Sequence, residues 1–559
     1  MAAYRYGQHH RDNNAFGGIG FVSRRSEHLA ACAVFLFGAI CLFLTAPHHG
    51  EFWWSDSPRH ALNGVFVKDL VATMPADPKA WAMQYYVKYP ALTILFYPPL
   101  FYAISAPFYA IFGVSQSTGM IVVMLHYFAL AFGLYVLARR WTGAIAAIAI
   151  GLSVMAVPGV ALWGRQVMLE VPSLAFAVWS MVALQRYGEN GKPWLIYASA
   201  FLLLCATYTK LNAVFLYVTL ALTVLTSQGS GTFKNKHVWF AAILSIIGLI
   251  PLAVMTLKFG GANIQSVTGI ADAAVARDSV AGWTWYAHHL PELIWWPLLV
   301  LAVLTPVLAV PGFIKTGMSR VDTVLLVSWF AVGYLALSYI DLKESRHALL
   351  ILPPVLISSG IVLPKLLRTR RLGEIALLAV VIATGLFTWQ FRPSPLVGGY
   401  REAAQWIADH APPNAIVVFS GKRDGSYIFN MRTMENRRDI STIRSDKLLL
   451  SISVRRELGV KENLMSENEI AEMLDRDGVS YVVAQDNFWI DLPAMKRLQD
   501  VLKSRHFAVA ARIPVTANLP LPDKLLVIYR NLGHVNPHPA PLVVDLQIIG
   551  QKVSGKLKN

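Results

Sequence analysis

The sequence predicts an α-helical membrane protein that crosses the bilayer many times and carries a soluble α/β domain at its C-terminus. Of the 559 residues, 55% are hydrophobic and only 15% are charged, and the mean hydropathy is +0.47. Apolar runs of about 17 to 25 residues, the length that crosses hydrocarbon, recur as far as about residue 390. Beyond this point the composition becomes that of a soluble domain.

The basic excess of the chain is typical of cytoplasmic loops in a membrane protein. The 49 lysines and arginines exceed the 33 acidic residues and give a formal net charge of +16. Since such an excess retains loops in the cytoplasm, we predict contact with membrane lipids and no binding of nucleic acid. The three cysteines lie in apolar runs without metal-ligand spacing and are predicted to be inert core residues. They are Cys32, Cys41 and Cys205.

The predicted membrane domain covers residues 28–395 and has about eleven transmembrane helices. It follows a polar, basic segment, residues 1–27, which we predict to be a cytoplasmic tail. The first span lacks an A-x-A-like cleavage site and is therefore predicted to be an uncleaved anchor. The later spans begin near Gly119, Gly143, Val171, Trp194, Asn212, Val238, Pro291, Val321, Ala348 and Glu374.

The positions of the basic clusters test the predicted membrane orientation of the chain, and this test does not depend on the length of the spans. With eleven spans, all clusters fall on the cytoplasmic side. The clusters lie at residues 24–25, 139–140, 186–192, 234–236, 315–320 and 365–371. This agreement requires that the proline-containing segment 89–112 does not cross, so we predict that it lies along the outer leaflet or dips into it. The alternative is that segment 89–112 crosses the membrane and that a partner span elsewhere is missed. If segment 89–112 does not cross, residues 47–118 form a first outer loop with juxtamembrane helices.

The sequence of residues 396–535 alternates between helical and strand patterns and therefore predicts a small α/β domain. Helices are predicted over residues 400–410, 467–477 and 492–505, and strands over residues 415–420, 480–484 and 525–529. The domain contains no GxGxxG, Walker A, HExxH or GxSxG motif. Residues 536–559 are basic, have few order signals and are predicted to be a C-terminal tail.

The first outer loop contains a candidate base in the segment EFWWSDSPRHALNGVFVKDL, residues 51–70. Asp56 lies near the predicted interface, where partial desolvation can raise the pKa of a carboxylate and make it a useful general base. The alternative is structural: Asp56 or Ser57 could cap the helix that Pro58 opens.

Three further charges lie at the outward ends of predicted spans. Glu170 stands in GRQVMLEVP, and a charge at the bilayer centre costs about 2.5 to 3.5 kcal/mol, less at an interface, so a partner is expected. A structural ion pair with Arg165 is one alternative, and a role across a cavity from Asp56 is the other. Lys210 and Arg346 interrupt apolar stretches on the same side. Such cations suit a phosphate group, and snorkelling is the alternative.

A pair of histidines in WYAHHLPE, His288 and His289, does not predict a metal site. Adjacent residues cannot both face one site on a helix. No cofactor is predicted, although a requirement for a divalent metal stays open.

The order of five segments resembles a known class of enzymes. SDSPRHAL, YPPLFYAISAPFYAIFG, GRQVMLEVPSLAFAVW, TYTKLNAVFLY and ESRHALLILPP together resemble the GT-C class of polyprenyl-phosphate-sugar glycosyltransferases, particularly the protein mannosyltransferases and aminoarabinose transferases. The resemblance covers roughly the first 390 residues. It implies inverting transfer of a sugar from a polyprenyl-phosphate donor to a lipid, glycan or protein hydroxyl on the outer face of the bacterial inner membrane. The alternatives are a transporter or flippase of a lipid-linked saccharide and a non-catalytic envelope assembly protein.

The resemblance also implies roles for the charged residues. Asp56 is the implied catalytic base and Glu170 the implied supporting acid. The predicted donor-phosphate ligands are Lys210, Arg346 and Arg59, and the predicted pocket residues are His60, Arg165, Tyr97 and His289. Many relatives have an acid where this chain has Ser57, and several have a lysine where it has Tyr97, so the sugar is not predicted. The C-terminal domain, on the periplasmic side, would contact the acceptor or cap the site.

Overall fold

The computed structural model describes residues 24–270, 273–452, 456, 459–546 and 551–557. A helical region is followed, from residue 400 onward, by a region of mixed helices and strands. The first 23 residues of the predicted cytoplasmic tail lie outside the described residues.

The helical region contains long apolar helices joined by shorter ones. Its helices are α1 (Arg24–Leu44), α2 (Asp56–Thr73), α3 (Pro78–Lys88), α4 (Leu100–Phe112), α5 (Gln116–Ala138), α6 (Ala144–Ala156), α7 (Pro158–Gly164), α8 (Glu170–Asn190), α9 (Pro193–Thr209), α10 (Leu216–Gln228), α11 (Lys236–Phe259), α12 (Gly261–Thr268), α13 (Val280–Ile294), α14 (Trp296–Ala309), α15 (Arg320–Tyr339), α16 (Leu352–Ser359), α17 (Val362–Leu366) and α18 (Arg370–Phe391). Tight 3₁₀ helices at Leu211–Phe215, Gly229–Lys234 and Ser345–Ile351 connect some of them.

Seven helical stretches within the described residues are long and apolar enough to cross a membrane. The number is eight if α6 and α7, bent by 59° where Pro158 opens α7, form one span. Each of the eleven predicted spans coincides with a helix or a run of helices. However, α9 and α14 have only 17 and 14 residues, fewer than the roughly 20 that a straight span needs. The multi-pass class is confirmed, and the count of eleven stays a prediction.

The first outer loop contains three helices, α2 to α4, as juxtamembrane structure requires. Helix α4 has 13 residues and rises about 20 Å, less than the hydrocarbon thickness of about 30 Å. It packs against α2 where Gly64 permits close approach, since a Cβ on Gly64 would lie 2.3 Å from Ser105 Oγ. These features are in keeping with the prediction that residues 89–112 do not cross.

The C-terminal region is an α/β domain, as predicted. The helices are α19 (Tyr400–His410), α20 (Asp424–Thr433), α21 (Ser445–Leu449), α22 (Glu467–Arg476) and α23 (Pro493–Lys503), with a 3₁₀ helix at Glu435–Arg437. The strands are β1 (Ile416–Ser420), β2 (Ser441–Arg444), β3 (Leu450–Ile452), β4 (Val460–Glu462), β5 (Val479–Ala484), β6 (Phe507–Pro514), β7 (Leu525–Asn531), β8 (Leu542–Leu546) and β9 (Gln551–Gly555). Five of the strands form a sheet of order β2-β1-β5-β7-β6, in which β1 runs parallel to β2 and β5 while β7 is antiparallel to its neighbours.

The segment predicted to be a C-terminal tail contains ordered structure instead. Strands β8 and β9 form an antiparallel hairpin. The backbone N–H of Lys556 donates to Gln84 Oε1 on α3 at 2.8 Å, and Ser441 Oγ donates to the carbonyl of Leu557 at 2.7 Å. The hairpin escapes sequence analysis because both strands are short and polar residues interrupt their apolar pattern.

Helix α20 fastens the C-terminal domain to the first outer loop. Asn430 Nδ2 donates to the carbonyl of Gly50 at 3.1 Å. The fully buried Arg432 holds both carboxylate oxygens of Asp69, on α2, with its Nη2 at 2.7 and 2.9 Å. Burial favours the neutral form of Asp69, but the charge and hydrogen bonds of Arg432 lower its pKa overall. The domain therefore stabilises helix α2, which begins with Asp56.

We expect Arg432→Met to destabilise this junction by about 3 to 5 kcal/mol, because it leaves the carboxylate of Asp69 buried without its main partner. Hydrogen exchange at the α20 amides would measure the local free energy of opening. The matched control is Arg438→Met. Arg438 reaches the same carboxylate at 3.3 Å but is 45% exposed, so its removal should cost less than about 1 kcal/mol. Equal losses in the two variants would contradict the assignment.

Candidate active site

Four charged residues predicted from the sequence meet at helix ends on one face of the helical region. Asp56 and Glu170 are the first residues of α2 and α8, where the positive end of the helix dipole favours a carboxylate. Lys210 follows α9, and Arg346 lies in the 3₁₀ helix Ser345–Ile351. The structure thus brings together residues separated by up to 290 positions.

Arg346 is the centre of this cluster. Its Nη1 donates to Asp56 Oδ2 at 2.9 Å, its Nε lies 3.8 Å from Glu170 Oε1, and Nε also donates to Glu344. Its guanidinium carbon lies 5.5 Å from the centre of a Trp163 ring, within the range of a cation–π contact. One guanidinium is therefore shared by three carboxylates.

Glu170 pairs with Lys210 rather than with Arg165. Lys210 Nζ lies 2.5 Å from Glu170 Oε1, and the glutamate side chain is only 2% exposed. Arg165 is buried elsewhere, donating to the carbonyls of Ala161 at 3.0 Å and Arg392 at 2.8 Å. The alternative of an Arg165–Glu170 ion pair is wrong, and Arg165 does not line the cavity described below. It fastens the end of α7 to the end of α18 instead.

The pKa of Asp56 is shifted in the direction opposite to the sequence-based expectation. Burial would raise the pKa, but the charge and hydrogen bond of Arg346 hold it at about 2. The cap interpretation is also wrong. The Asp56 carboxylate engages Arg346, while Ser57 Oγ accepts the backbone N–H of Val167 at 3.1 Å. Asp56 is therefore a carboxylate, not an acid, at any ordinary pH.

His60 and Tyr97 line the same cavity as Asp56, and their role as pocket residues stays a prediction. His60 Nδ1 is 2.9 Å from the hydroxyl of Tyr102, and its ring centre lies 4.7 Å from that of Tyr97. Burial lowers the pKa of His60 to about 4, so its imidazole is neutral near pH 7. The pair forms a neutral aromatic wall next to the charged cluster.

Arg59 lies at the cavity but is already engaged. Its Nη2 lies 2.8 Å from both carboxylate oxygens of Asp424, at the start of α20. Arg444 approaches the same carboxylate at 3.0 Å. Arg59 thus joins α2 to the C-terminal domain, and its predicted role as a donor-phosphate ligand stays a prediction that this ion pair disfavours.

The two adjacent histidines have different surroundings. His289 lines the cavity and stacks on Trp285 with ring centres 3.8 Å apart, whereas His288 is exposed. Across the residues that the structure describes, no group of three or more histidine, cysteine or acidic side chains is arranged to hold a metal ion.

A single cavity of about 1720 Å³ connects the charged cluster to both regions of the chain. Part of its lining consists of apolar residues of α11, including Leu249, Leu252 and Leu257. The C-terminal domain contributes another part, which consists of Arg444, Asp446, Lys447, Ile452, Arg456 and Trp489. The cavity therefore offers an apolar path beside the helices and a polar wall on the soluble domain.

Sequence reasoning missed several residues of this site. Glu344 stands two positions before Arg346 in the same ESRH segment, and that spacing was an available signal. The aromatic contact of Trp163 and the C-terminal cavity residues carried no signal in the sequence, because they reach the site only through long-range folding.

The chain matches a known protein family over part of its length. A family model described as dolichyl-phosphate-mannose-protein mannosyltransferase matches residues 97–254, a segment that includes Tyr97, Glu170 and Lys210. No curated protein sequence matches the chain.

Solved structures match over nearly the whole chain. ArnT from Cupriavidus metallidurans, bound to undecaprenyl phosphate, has a TM-score of 0.59 at 13% identity, covering 91% of this chain and 98% of ArnT. The oligosaccharyltransferase AglB from Archaeoglobus fulgidus, in complex with an inhibitory peptide and a dolichol-phosphate, has a TM-score of 0.53 at 10% identity, covering 90% of this chain and 76% of AglB. These matches confirm the predicted fold.

The lowered pKa of Asp56 predicts how this cluster responds to acid. A depressed carboxyl pKa contributes stability above the unfolded value of about 3.9 and loses that contribution as the pH falls towards about 2. Between pH 6 and pH 2.5, the thermal unfolding midpoint of the wild type should therefore fall further than that of Asp56→Asn, and the difference should develop below about pH 4. If the unfolding midpoints of the two proteins fall in parallel between pH 6 and pH 2.5, Arg346 does not hold Asp56 as a carboxylate.

Proposed function

We propose that this chain, which has the GT-C glycosyltransferase fold, is a membrane glycosyltransferase that moves a sugar from a polyprenyl-phosphate donor to a hydroxyl of its acceptor. One observation carries the proposal. Asp56 and Glu170 meet Lys210 and Arg346 in a cavity that also has an apolar side. A lipid-linked phosphate and a hydroxyl nucleophile require these three features, namely a base, cations and an apolar path.

The reaction supported by this geometry is a single displacement. Asp56 accepts the proton of the acceptor hydroxyl, whose oxygen forms a bond to the anomeric carbon. The bond from that carbon to the phosphate oxygen breaks, and its electron pair leaves with the polyprenyl phosphate. Attack opposite the leaving group inverts the anomeric carbon. Lys210 and Arg346 stabilise the charge that develops on the phosphate.

The ion pairs within the cluster link donor binding to the basicity of Asp56. Arg346 holds Asp56 at 2.9 Å, which makes the carboxylate a weak base. A donor phosphate that attracts Arg346 weakens this pair and so raises the affinity of Asp56 for a proton. Glu170 keeps Lys210 in place at 2.5 Å. The acceptor hydroxyl is then activated only where a donor is bound.

The lipid part of the proposal rests on the apolar side of the cavity and on two relatives. Leu249, Leu252 and Leu257 of α11 line the same cavity as the charged cluster and give it the apolar surface that an isoprenoid chain requires. ArnT and AglB, which share the fold, were solved with undecaprenyl phosphate and with a dolichol-phosphate. The acceptor is a lipid, glycan or protein.

Asp56→Asn should lower the rate of sugar transfer by about 10² to 10⁴, the usual contribution of a general base. Lys210→Gln should lower the rate by about 10² or more because it removes a charge that stabilises the leaving phosphate. The measurement is release of polyprenyl phosphate and transfer of labelled sugar by the reconstituted protein. Glu472→Gln is the matched control, since Glu472 is exposed on α22. Full activity of Asp56→Asn would remove Asp56 from the mechanism.

The proposed location is the bacterial inner membrane, with the active site and the C-terminal domain on the periplasmic side. The support is the distribution of basic clusters. Alkaline phosphatase fused after Arg140 should be inactive, whereas the same reporter fused after Asn559 should be active. The opposite pair of results, or activity after Arg140, would reverse the orientation.

A further inference from the structure

The polar wall that the C-terminal domain contributes to the cavity contains an amine that the proposed reaction does not use. Lys447, on α21, lines the cavity. Burial and then the charge of Arg444 lower the pKa of Lys447. Among the described residues, no carboxylate or other hydrogen-bond acceptor lies within bonding distance of its amino group.

The other cations of this wall all have acidic partners. Arg444 Nη2 lies 2.7 Å from Asp446 and its Nη1 lies 3.0 Å from Asp424. Arg456 Nη1 lies 3.0 Å from Asp491. Within the described residues, Lys447 is therefore the cation of this wall that lacks an ion-pair partner. Since a desolvated amine without a partner is costly, an anion that binds there removes both the desolvation penalty and the repulsion from Arg444.

The same wall presents an aromatic face. Trp489 has a φ of 52°, a left-handed conformation that is uncommon for a large residue. Its ring stacks on Phe488 with centres 4.5 Å apart, and its carbonyl accepts the N–H of Leu492 at 2.9 Å. These contacts hold a partly exposed indole at the cavity, and the Arg456 guanidinium carbon lies 5.9 Å from a Trp489 ring centre.

We propose that this wall is the acceptor subsite and that the acceptor is a saccharide bearing a phosphate or carboxylate group. Lys447 binds the anionic group, and the face of Trp489 packs against the sugar ring. The inference rests on the proposed function in that it names the acceptor class of the same cavity. The donor is assigned to the part of the cavity that Lys210, Arg346 and the apolar residues of α11 line.

Direct binding tests this inference without any sugar transfer. The full-length protein is placed in nanodiscs of phosphatidylcholine, and binding of mannose 6-phosphate, mannose and inorganic phosphate is compared by saturation-transfer NMR. The phosphorylated sugar should bind about tenfold more tightly than either of the other two probes, because only it engages both the amine and the aromatic face. If mannose binds as tightly as mannose 6-phosphate, the wall has no anion site. If inorganic phosphate binds as tightly as mannose 6-phosphate, the wall has no saccharide site.

Substitutions test separately the contact of Lys447 with the anionic group and the contact of Trp489 with the sugar ring. Lys447→Met should reduce the affinity for mannose 6-phosphate about tenfold and leave that for mannose unchanged. Trp489→Ala should weaken both sugars by about threefold to tenfold. Lys461→Met is the matched control, since Lys461 is an exposed lysine of β4 in the same domain, and its affinities should equal those of the wild type. Wild-type affinity for mannose 6-phosphate in Lys447→Met would overturn the proposal.

Two further measurements separate this inference from its rivals. If nanodiscs containing phosphatidylglycerol abolish the binding of mannose 6-phosphate, the amine binds a lipid headgroup and the acceptor proposal fails. Cleavage of the donor by water, measured in the wild type without an acceptor, tests the proposed function separately. Absence of this cleavage would count against the proposed function and leave the binding result standing.

Discussion

The structure of this protein depends on the neutralisation of charge at a place where water is scarce. Arg346 is shared by Asp56, Glu170 and Glu344, and Lys210 completes the set on Glu170. Each of these charges would be costly alone, so each is retained only because the others lie within reach. The requirement fixes the relative positions of α2, α8, the turn after α9 and the 3₁₀ helix before α16. The site is therefore a consequence of how the helices pack, and the packing is constrained in turn by the site.

The C-terminal domain belongs to this arrangement. Asp424 binds Arg59 near the start of α2, and Arg432 binds Asp69 near the other end of the same helix. Helix α2 is thus fixed at both ends by charges from a region more than 350 residues later in the sequence. Asp56, which the proposed reaction uses, therefore lies on a helix that is bound both by the helical region and by the C-terminal domain.

Local signals made part of this structure predictable. Alternating apolar patterns located α19, α22 and β5 because each of these elements buries one face or one strand core, and apolar length located the membrane helices. Asp56, Glu170, Lys210 and Arg346 were found because a charge in an apolar context is conspicuous in sequence. Partners were not predictable in the same way. Arg165 is near Glu170 in sequence, yet Lys210 is near it in space. Helix α20, with the sequence DGSYIFNMRT, was missed because its buried residues lie all around the helix and show no period.

The contact between Pro58 and Gly425 shows how closely the helical region and the C-terminal domain fit together. A Cβ on Gly425 would lie 3.0 Å from Pro58 Cγ, a separation tighter than ordinary packing allows. Exchange of the C-terminal domain alone would therefore replace one half of a fitted surface. A chimera built from two such proteins needs both segments from one parent.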